Sequence, residues 1–96
     1  MSEGEIHGAI LSILKRHIRS ANLRVFLFGS RATGRATPRS DYDVAVDTGR
    51  PVDWSVMARI RSDLEDSDLP VRVDVVDFST CSPAFKAVAL EGALAW

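Results

Sequence analysis

The chain of 96 residues lacks the features that hold very small extracellular or membrane proteins together. A single cysteine, Cys81, excludes a disulfide scaffold and a multi-cysteine zinc module, and it suits a reducing cytoplasm. No uncharged apolar run approaches the roughly 20 residues that a membrane-spanning helix needs. The acidic residues 1–5 do not resemble a secretory signal. The sequence therefore predicts a cytoplasmic protein with no membrane partner.

The chain also lacks an excess of charge of either sign. Twelve lysines and arginines against thirteen acidic residues give a formal net charge of -1. This balance excludes binding to nucleic acid by bulk positive charge, so we expect no direct nucleic-acid partner. The composition, 46% hydrophobic and 26% charged, is that of an ordinary globular domain. Since no repeat or linker-like segment interrupts the chain, we expect residues 1–96 to form one domain.

Hydrophobic patterns predict four helices that alternate with three strands. Isoleucines at helical spacing predict the first helix, and Ser82-Pro83 predicts the start of the last one. We also expect Asp53 to cap a helix whose buried face includes Trp54. The predicted helices are 5–19, a short turn within 30–37, 54–66 and one from 83 to Gly92, and the predicted strands are 23–28, 41–47 and 71–77. This order predicts an α/β (α+β) domain whose helices flank a sheet of three or four strands, with the strand directions left open.

The segment from Phe28 to Asp43 contains a glycine-serine turn but not the common phosphate or nucleophile motifs. Gly29 and Gly34 have the spacing of a P-loop, yet Arg35-Ala36 stands where that motif requires Lys-Ser/Thr. A nucleophile elbow needs Gly-x-Ser-x-Gly, whereas Ser30 directly follows Gly29. Backbone N–H groups and a hydroxyl at such a turn can still bind phosphate oxygens. The alternative is an ordinary strand-to-helix turn capped by Ser30.

Three aspartates form the second part of the candidate site. Asp41 and Asp43 are two apart in a predicted strand and so point to one face, and Asp74 is a lone acid in a strand rich in valine. If the two strands are neighbours, three carboxylates meet and repel one another. Mg²⁺ relieves such repulsion and bridges carboxylates to phosphates. We expect the remaining strand and helix aspartates to be solvated: Asp47, Asp53, Asp63, Asp66, Asp68 and Asp77.

The combination of Gly29-Ser30, Asp41-x-Asp43 and a later Asp74 closely resembles the nucleotidyltransferase superfamily typified by DNA polymerase beta. The string GSRATG…SDYDV is similar to its minimal (MNT) branch. The resemblance implies a mixed β-sheet flanked by helices. It also implies that Gly29 and Ser30 hold the nucleotide phosphates and that Asp41 and Asp43 bind two Mg²⁺ ions. By the same resemblance, Asp74 binds one of these ions and helps to deprotonate the attacking hydroxyl.

The chain departs from the family pattern at two positions. The family often has Ala-Arg-Gly where this chain has Ala32-Thr33-Gly34, so one basic contact is missing. Arg31 or Arg35 could supply that charge, and we take Arg31 as the nucleotide-binding residue. Arg39 stands where minimal members frequently carry an acidic or small residue. Since neither departure affects the three carboxylates, we expect an active enzyme.

The resemblance also implies a function. We expect a Mg²⁺-dependent nucleotidyltransferase that moves AMP from ATP to a hydroxyl of a partner macromolecule. Minimal members commonly occur beside a HEPN-domain protein, so the implied role is the antitoxin of a toxin–antitoxin pair. The main alternative is a non-catalytic antitoxin that binds nucleotide and neutralises its partner by contact. A plain α/β domain with acidic surface strands is a third hypothesis, and the oligomeric state stays open.

Several residues outside this segment are assigned no chemistry. His7 and His17 have no other ligand near them in the sequence, and Cys81 has no histidine or second cysteine beside it. The apolar residues of the last helix, Phe85 and Val88, are predicted to pack in the core together with Trp54 and Trp96. The alternative for these residues is an apolar surface that a partner covers.

Overall fold

Helices and strands alternate along the whole chain. The structure is a computed structural model that describes all residues from Met1 to Trp96. In chain order, the elements are α1 Glu3–His17, β1 Arg24–Phe28, α2 Ser30–Thr33, β2 Tyr42–Asp47, α3 Trp54–Glu65, β3 Val73–Asp77, α4 Pro83–Leu90 and β4 Leu94–Ala95, with a 3-10 turn at Phe78–Thr80. The seven predicted elements therefore form, with boundaries that differ by a few residues. β4 was not predicted, because two residues are too short to show an alternating pattern.

The sheet is mixed, with the strand order β3-β2-β1-β4. β1 is antiparallel to β2 and to β4, whereas β2 and β3 run parallel. The chain connects the two parallel strands through α3, as a parallel crossover requires. The predicted fold class, a small mixed sheet flanked by helices, is confirmed.

Both faces of the sheet are covered, and the two coverings differ in thickness. On one face, α1 and α3 pack onto the sheet and form a cluster of 14 buried side chains that includes the fully buried Ile10, Leu14, Val44 and Ile60. On the other face, the hydrophobic cluster contains only three buried residues: Ala45 of β2, Phe78 of the 3-10 turn and Ala89 of α4. The thin covering leaves room for a groove on that face. None of the helices has the length and apolar character that crossing a membrane requires.

Of the three longer helices, α1 and α4 begin with a side-chain N-cap that the sequence encodes, and α3 does not. Ser2 and Glu5 form a capping box at α1, and the Ser82 hydroxyl accepts the Phe85 N–H at α4, with Pro83 at the first helical position. Asp53 occupies the N-cap position of α3, but its side chain makes no capping hydrogen bond. The predicted cap is therefore in the right place without the predicted contact.

Two of the aspartates that were predicted to be solvated are buried instead. Asp47 is 9% exposed and Asp77 is 5% exposed. Asp47 accepts the Gly49 N–H at 2.9 Å, and this hydrogen bond lowers the pKa of Asp47. The Asp77 carboxylate accepts the N–H groups of Val52 and Ser79. Both acids therefore close turns at the ends of β2 and β3, a role that their position in the sequence does not reveal.

Trp54 also differs from its prediction. It was expected on the buried face of α3, together with Met57, Ile60 and Leu64. Those three side chains are buried, but Trp54 is 82% exposed. It is the first residue of the helix, so its side chain lies one turn before the part of α3 that packs on the sheet.

We expect alanine substitutions at the two ends of this face to have very different effects on stability. Ile60→Ala should lower the free energy of unfolding by about 2–5 kcal/mol, because it leaves a cavity in the larger cluster. Trp54→Ala on the same helix should change it by no more than about 0.5 kcal/mol. Urea denaturation followed by circular dichroism measures both. A loss at Trp54 as large as that at Ile60 would contradict the packing described above.

Candidate active site

The site begins at the tight turn where β1 ends. Gly29 follows Phe28 and precedes α2, with φ +74° and ψ -154°, a backbone conformation that only glycine adopts readily. A Cβ placed on Gly29 would overlap the Oδ2 atom of Asp43. Glycine is therefore required here for two reasons, the backbone conformation and the close approach of the Asp43 carboxylate.

Ser30 is not the cap of the short helix. Gly29 occupies the N-cap position, and no side chain caps α2. The Gly29 carbonyl accepts the N–H groups of Ala32 and Thr33, while those of Ser30 and Arg31 make no hydrogen bond to the backbone. The alternative prediction, a turn closed by Ser30, is therefore not what the structure shows. Two backbone N–H groups and a hydroxyl remain available beside the Asp43 carboxylate.

Strand pairing makes two of the three aspartates direct neighbours in the sheet. Asp43 in β2 is the register partner of Asp74 in the parallel strand β3, and on its other side it pairs with Phe28 at the end of β1. Asp41 lies just before β2 begins. The end of β1 and the starts of β2 and β3 thus meet at one edge of the sheet, and this edge carries the glycine-serine turn and the three acids.

The carboxylates at this edge are poorly compensated. Burial raises the pKa of Asp43 above its usual value, and the neighbouring charges of Asp74 and Asp41 raise it further. The nearest cation is Arg72, whose Nε lies 3.3 Å from an oxygen of Asp74. Arg72 is largely exposed, so solvent weakens this ion pair. Sequence reasoning missed Arg72, although its position two residues before Asp74 could have indicated it.

The donor set is suited to Mg²⁺, but it is not preassembled. Three carboxylates offer the oxygen ligands that this ion prefers, and a divalent cation would relieve the repulsion that raises the pKa of Asp43. No three acidic, histidine or cysteine side chains already stand in the arrangement of a metal site. Asp41, Asp43 and Asp74 therefore match the chemistry of the ion, and their side chains would have to turn towards it.

Two adjoining depressions lie beside these residues, and the larger one extends round the edge strand β3 to Leu64 and Glu65 of α3. One depression of about 950 Å³ includes Asp43 and Asp74 in its lining, and a second of about 400 Å³ includes Gly29 and Ser30. The two share Phe28 and Phe85, whose rings meet edge to face at a centroid distance of 6.1 Å. Each of the two depressions has a volume typical of a site for a small organic ligand. The turn and the acids thus face one continuous groove.

Arg31, the third residue predicted to bind nucleotide, is engaged within the protein. Its Nε and Nη2 atoms donate to the Ser40 carbonyl oxygen at 3.0 and 2.8 Å, and Nη2 also approaches the Pro38 carbonyl oxygen at 3.3 Å. Its guanidinium lies over the ring of Tyr42, 4.3 Å from the centroid. A phosphate-binding role for Arg31 stays a prediction and would depend on Nη1.

Residues 9–94 match the family Polymerase beta, Nucleotidyltransferase. This match covers most of the chain, and the fold is the one that the resemblance implied. The chain belongs to this family.

Individual relatives point to the minimal members of the family. The probable protein adenylyltransferase MntA of Haemophilus influenzae is 39% identical over 64 residues, which cover 67% of this chain and 56% of that protein. A protein assigned as a minimal nucleotidyltransferase has a structure with a TM-score of 0.69 and 31% identity, covering 98% of this chain and 95% of the other. A crystal structure of a toxin–antitoxin with AMP-PNP gives a TM-score of 0.66 and 28% identity, covering 93% of this chain and 71% of the other.

The chain matches only part of the Haemophilus influenzae protein and of the structure with AMP-PNP. The match to the Haemophilus influenzae protein spans little more than half of that protein. The shared part includes the nucleotidyltransferase fold, and the resemblance to the minimal branch that the motif indicated is confirmed at the level of fold and family.

The raised pKa of Asp43 predicts how stability depends on pH in the absence of metal. Because this pKa is higher in the folded chain than in the unfolded chain, ionisation of Asp43 destabilises the fold. Protonated Asp43 contributes fully to the free energy of unfolding below the ordinary pKa of aspartate, and this contribution is lost as the pH rises through the raised pKa of the folded chain. We therefore expect Asp43→Asn to raise Tm by a few degrees at pH 7 in EDTA, and this gain to disappear in strongly acidic buffer.

The control is Asp68→Asn, which removes the same charge from an exposed loop residue. It should leave Tm nearly unchanged across the same pH range. A decrease of Tm in Asp43→Asn at pH 7 would mean that the carboxylate is a stabilising contact, contrary to the electrostatics described above.

Proposed function

We propose that the protein is a Mg²⁺-dependent nucleotidyltransferase that moves AMP from ATP to a hydroxyl of a partner macromolecule. The observation that carries this proposal is the packing of the Asp43 carboxylate against Gly29, with Asp74 as its direct strand neighbour. In this proposal, that contact joins the turn that binds phosphate to the acids that bind the metal. The relative whose structure contains AMP-PNP supports ATP as the nucleotide.

In this proposal the turn binds the phosphates and the acids bind the metal. The free N–H groups of Ser30 and Arg31 and the Ser30 hydroxyl donate to phosphate oxygens. Asp41, Asp43 and Asp74 hold two Mg²⁺ ions. When bound, these ions supply stabilisation of the negative charge that develops on the attacking and leaving oxygens. The phosphates lie in the groove next to the turn.

The proposed transfer needs a base for the proton of the acceptor hydroxyl, and Asp74 has this role. The acceptor hydroxyl oxygen forms a bond to the α-phosphorus, the bond from that phosphorus to the bridging oxygen breaks, and pyrophosphate leaves. Asp74 takes the hydroxyl proton. Its carboxylate is 44% exposed and lines the larger depression, so an acceptor can reach it from solvent. Arg72 holds the other side of this carboxylate and orients it.

The acceptor is proposed to belong to a HEPN-domain toxin for which this protein is the antitoxin. Phe85 and Val88 of α4 line the same depression as Gly29 and Ser30, and they are 43% and 68% exposed. The prediction that they pack in the core was wrong, because the thin covering of this face leaves α4 open to solvent. We call this pair the α4 patch. A partner that covers the α4 patch would lie directly beside the proposed transfer site.

The cytoplasm stays a predicted location. It depends on Cys81, which is a free, half-buried thiol in the structure. Its Sγ donates to the Asp77 carbonyl oxygen at 3.3 Å, so its role here is structural.

The metal site can be tested by thermal shift. Mg²⁺ with ATP should raise Tm, since a ligand at one hundred times its Kd stabilises the folded state by about 2.7 kcal/mol. Asp41→Asn and Asp43→Asn should each remove the gain that requires both metal and ATP, while Asp68→Asn should retain it. An equal gain in Asp43→Asn would contradict the assignment of these carboxylates.

The turn offers a matched pair of glycines for a second test. Gly29 and Gly34 have nearly the same positive φ, +74° and +76°, but their ψ values of -154° and 15° differ, so an alanine strains the backbone at both positions and more strongly at Gly29. Only at Gly29 does the new side chain meet Asp43, because a Cβ on Gly34 has no atom within 4 Å. We expect Gly29→Ala to abolish ATP binding in calorimetry and Gly34→Ala to preserve it. Equal affinities in the two variants would show that the turn is only structural.

The partner can be tested with the purified pair. With Mg²⁺ and ATP, the protein should add one or more AMP units to a HEPN-domain partner, and intact-mass spectrometry detects the addition. Val88→Glu should reduce labelling at least tenfold by placing a charge in the α4 patch. Trp54→Glu should not, because Trp54, which is even more exposed than Val88, does not line either depression.

The same assay separates the enzyme from a purely binding antitoxin. If the wild type forms the complex and silences the partner without any change in mass, the non-catalytic alternative is correct. Asp43→Asn gives an independent answer, since neutralisation by contact alone should survive this change and transfer should not.

A further inference from the structure

Asp41 differs from the other two acids in how its backbone is held. Asp43 and Asp74 lie within paired strands, where the ladder hydrogen bonds fix their positions. Asp41 precedes β2 and has no strand partner in the register. Something other than the sheet must therefore determine where its carboxylate lies.

The loop before Asp41 is a tight turn that depends on contacts with α2. Within it, the Ser40 N–H donates to the Thr37 carbonyl oxygen at 3.0 Å, and the Thr37 N–H donates to the Ser40 hydroxyl at 2.9 Å. Pro38 occupies the second position, as is common in such turns. These bonds shape the turn but do not attach it to the rest of the protein. Arg31 makes that attachment through the carbonyl oxygens of Pro38 and Ser40.

The Ser40 carbonyl is the important acceptor because it shares a planar peptide unit with the Asp41 nitrogen. Two donors from the Arg31 guanidinium fix the orientation of this unit. On the other side of Asp41, the Tyr42 N–H donates to the Arg72 carbonyl oxygen at 2.9 Å, and the Tyr42 side chain is buried. Asp41 is therefore held between two peptide units that are each anchored.

We propose that the Arg31 side chain is a positioning group, which sets the backbone of Asp41 through the Ser40 carbonyl oxygen rather than binding a phosphate with its guanidinium. The ring of Tyr42 supports the guanidinium from below at 4.3 Å, in the geometry of a cation–π contact. The hydrogen bonds from Arg31 to the carbonyl oxygens of Pro38 and Ser40 are called the Arg31 clamp below. The effect of this clamp on metal binding rests on the proposed function, whereas the clamp itself does not.

Lysine cannot replace arginine in this role. The clamp needs a planar group with several donors in a fixed geometry and a flat face for the Tyr42 ring, and an ammonium provides neither. A phosphate ligand, by contrast, needs mainly a positive charge that can reach the phosphate. Arg31→Lys thus separates the two roles, and Arg31→Gln removes both. Arg39→Gln is the matched control, because it removes one charge from the exposed tip of the same turn.

The first measurement concerns the loop alone. Hydrogen–deuterium exchange of residues 37–42 in the metal-free protein should be about tenfold faster in Arg31→Gln and Arg31→Lys than in the wild type. Arg39→Gln should exchange at the wild-type rate. Unchanged protection in both Arg31 variants would overturn the clamp. If Arg31→Gln does not fold, as judged by circular dichroism, Arg31→Lys supplies the answer.

The second measurement is the Mn²⁺ dependence of binding of a non-hydrolysable ATP analogue. Loss of a residue that orients a metal ligand typically weakens metal affinity by about 10–100-fold. We expect that shift in the half-saturating Mn²⁺ concentration for both Arg31 variants, with affinity for the analogue largely retained at saturating Mn²⁺. Weaker binding at every Mn²⁺ concentration, restored by Arg31→Lys, would identify Arg31 as a phosphate ligand and overturn the proposal.

The two measurements also separate this inference from the proposed function. If the wild type binds the analogue without any dependence on metal while the Arg31 variants still release the loop, the proposed metal site is wrong and the clamp stands. If metal dependence is present and neither Arg31 variant alters it, Arg31 does not position Asp41.

Discussion

The site depends on one close contact, between the backbone of Gly29 and the carboxylate of Asp43. No side chain can stand at Gly29 without displacing Asp43, so the end of β1 and the start of β2 are fitted together at atomic contact. The antiparallel register, which pairs Phe28 with Asp43, sets this distance. A phosphate bound at the turn would consequently lie next to a carboxylate, an unfavourable pairing unless a cation stands between them. The contact therefore accounts for the requirement for glycine, and under the proposed function it also gives a reason why phosphate binding would be coupled to a metal ion.

The parallel pairing of β2 and β3 supplies the second constraint. Because both strands begin at the same edge of the sheet, Asp43 and Asp74 are register partners there. α3 makes the crossover and packs on the opposite face with α1, so the face that carries the acids keeps only its thin covering. The depression beside Gly29 and Ser30 lies on this thin side, whereas the one that includes Asp43 and Asp74 extends round β3 to α3.

The sequence predicted most of the helices and strands, since their apolar periodicity reports burial directly, as for Ile10 and Ile60. It also predicted which residues gather at the site edge, because alternation in β2 and the lone acid of β3 indicate a shared face. It failed where a contact arises only from the tertiary fold. The exposure of Trp54 depends on where α3 meets the sheet, and the bonds from Arg31 to Ser40 depend on a turn whose path the local pattern does not encode.

The two ends of the same strands show why one pair of acids is structural and the other is suited to binding. Asp47 at the far end of β2 accepts a backbone N–H, which lowers its pKa, and Asp77 at the far end of β3 accepts two. Asp43, at the near end of β2, has no such donor, and burial with its acidic neighbours raises its pKa. Buried carboxylates are ordinarily hydrogen-bonded or paired. The fold thus provides backbone donors to the aspartates at one end of these strands and leaves the partly buried Asp43 at the other end without one, so a cation bound there would relieve the unfavourable charge of Asp43.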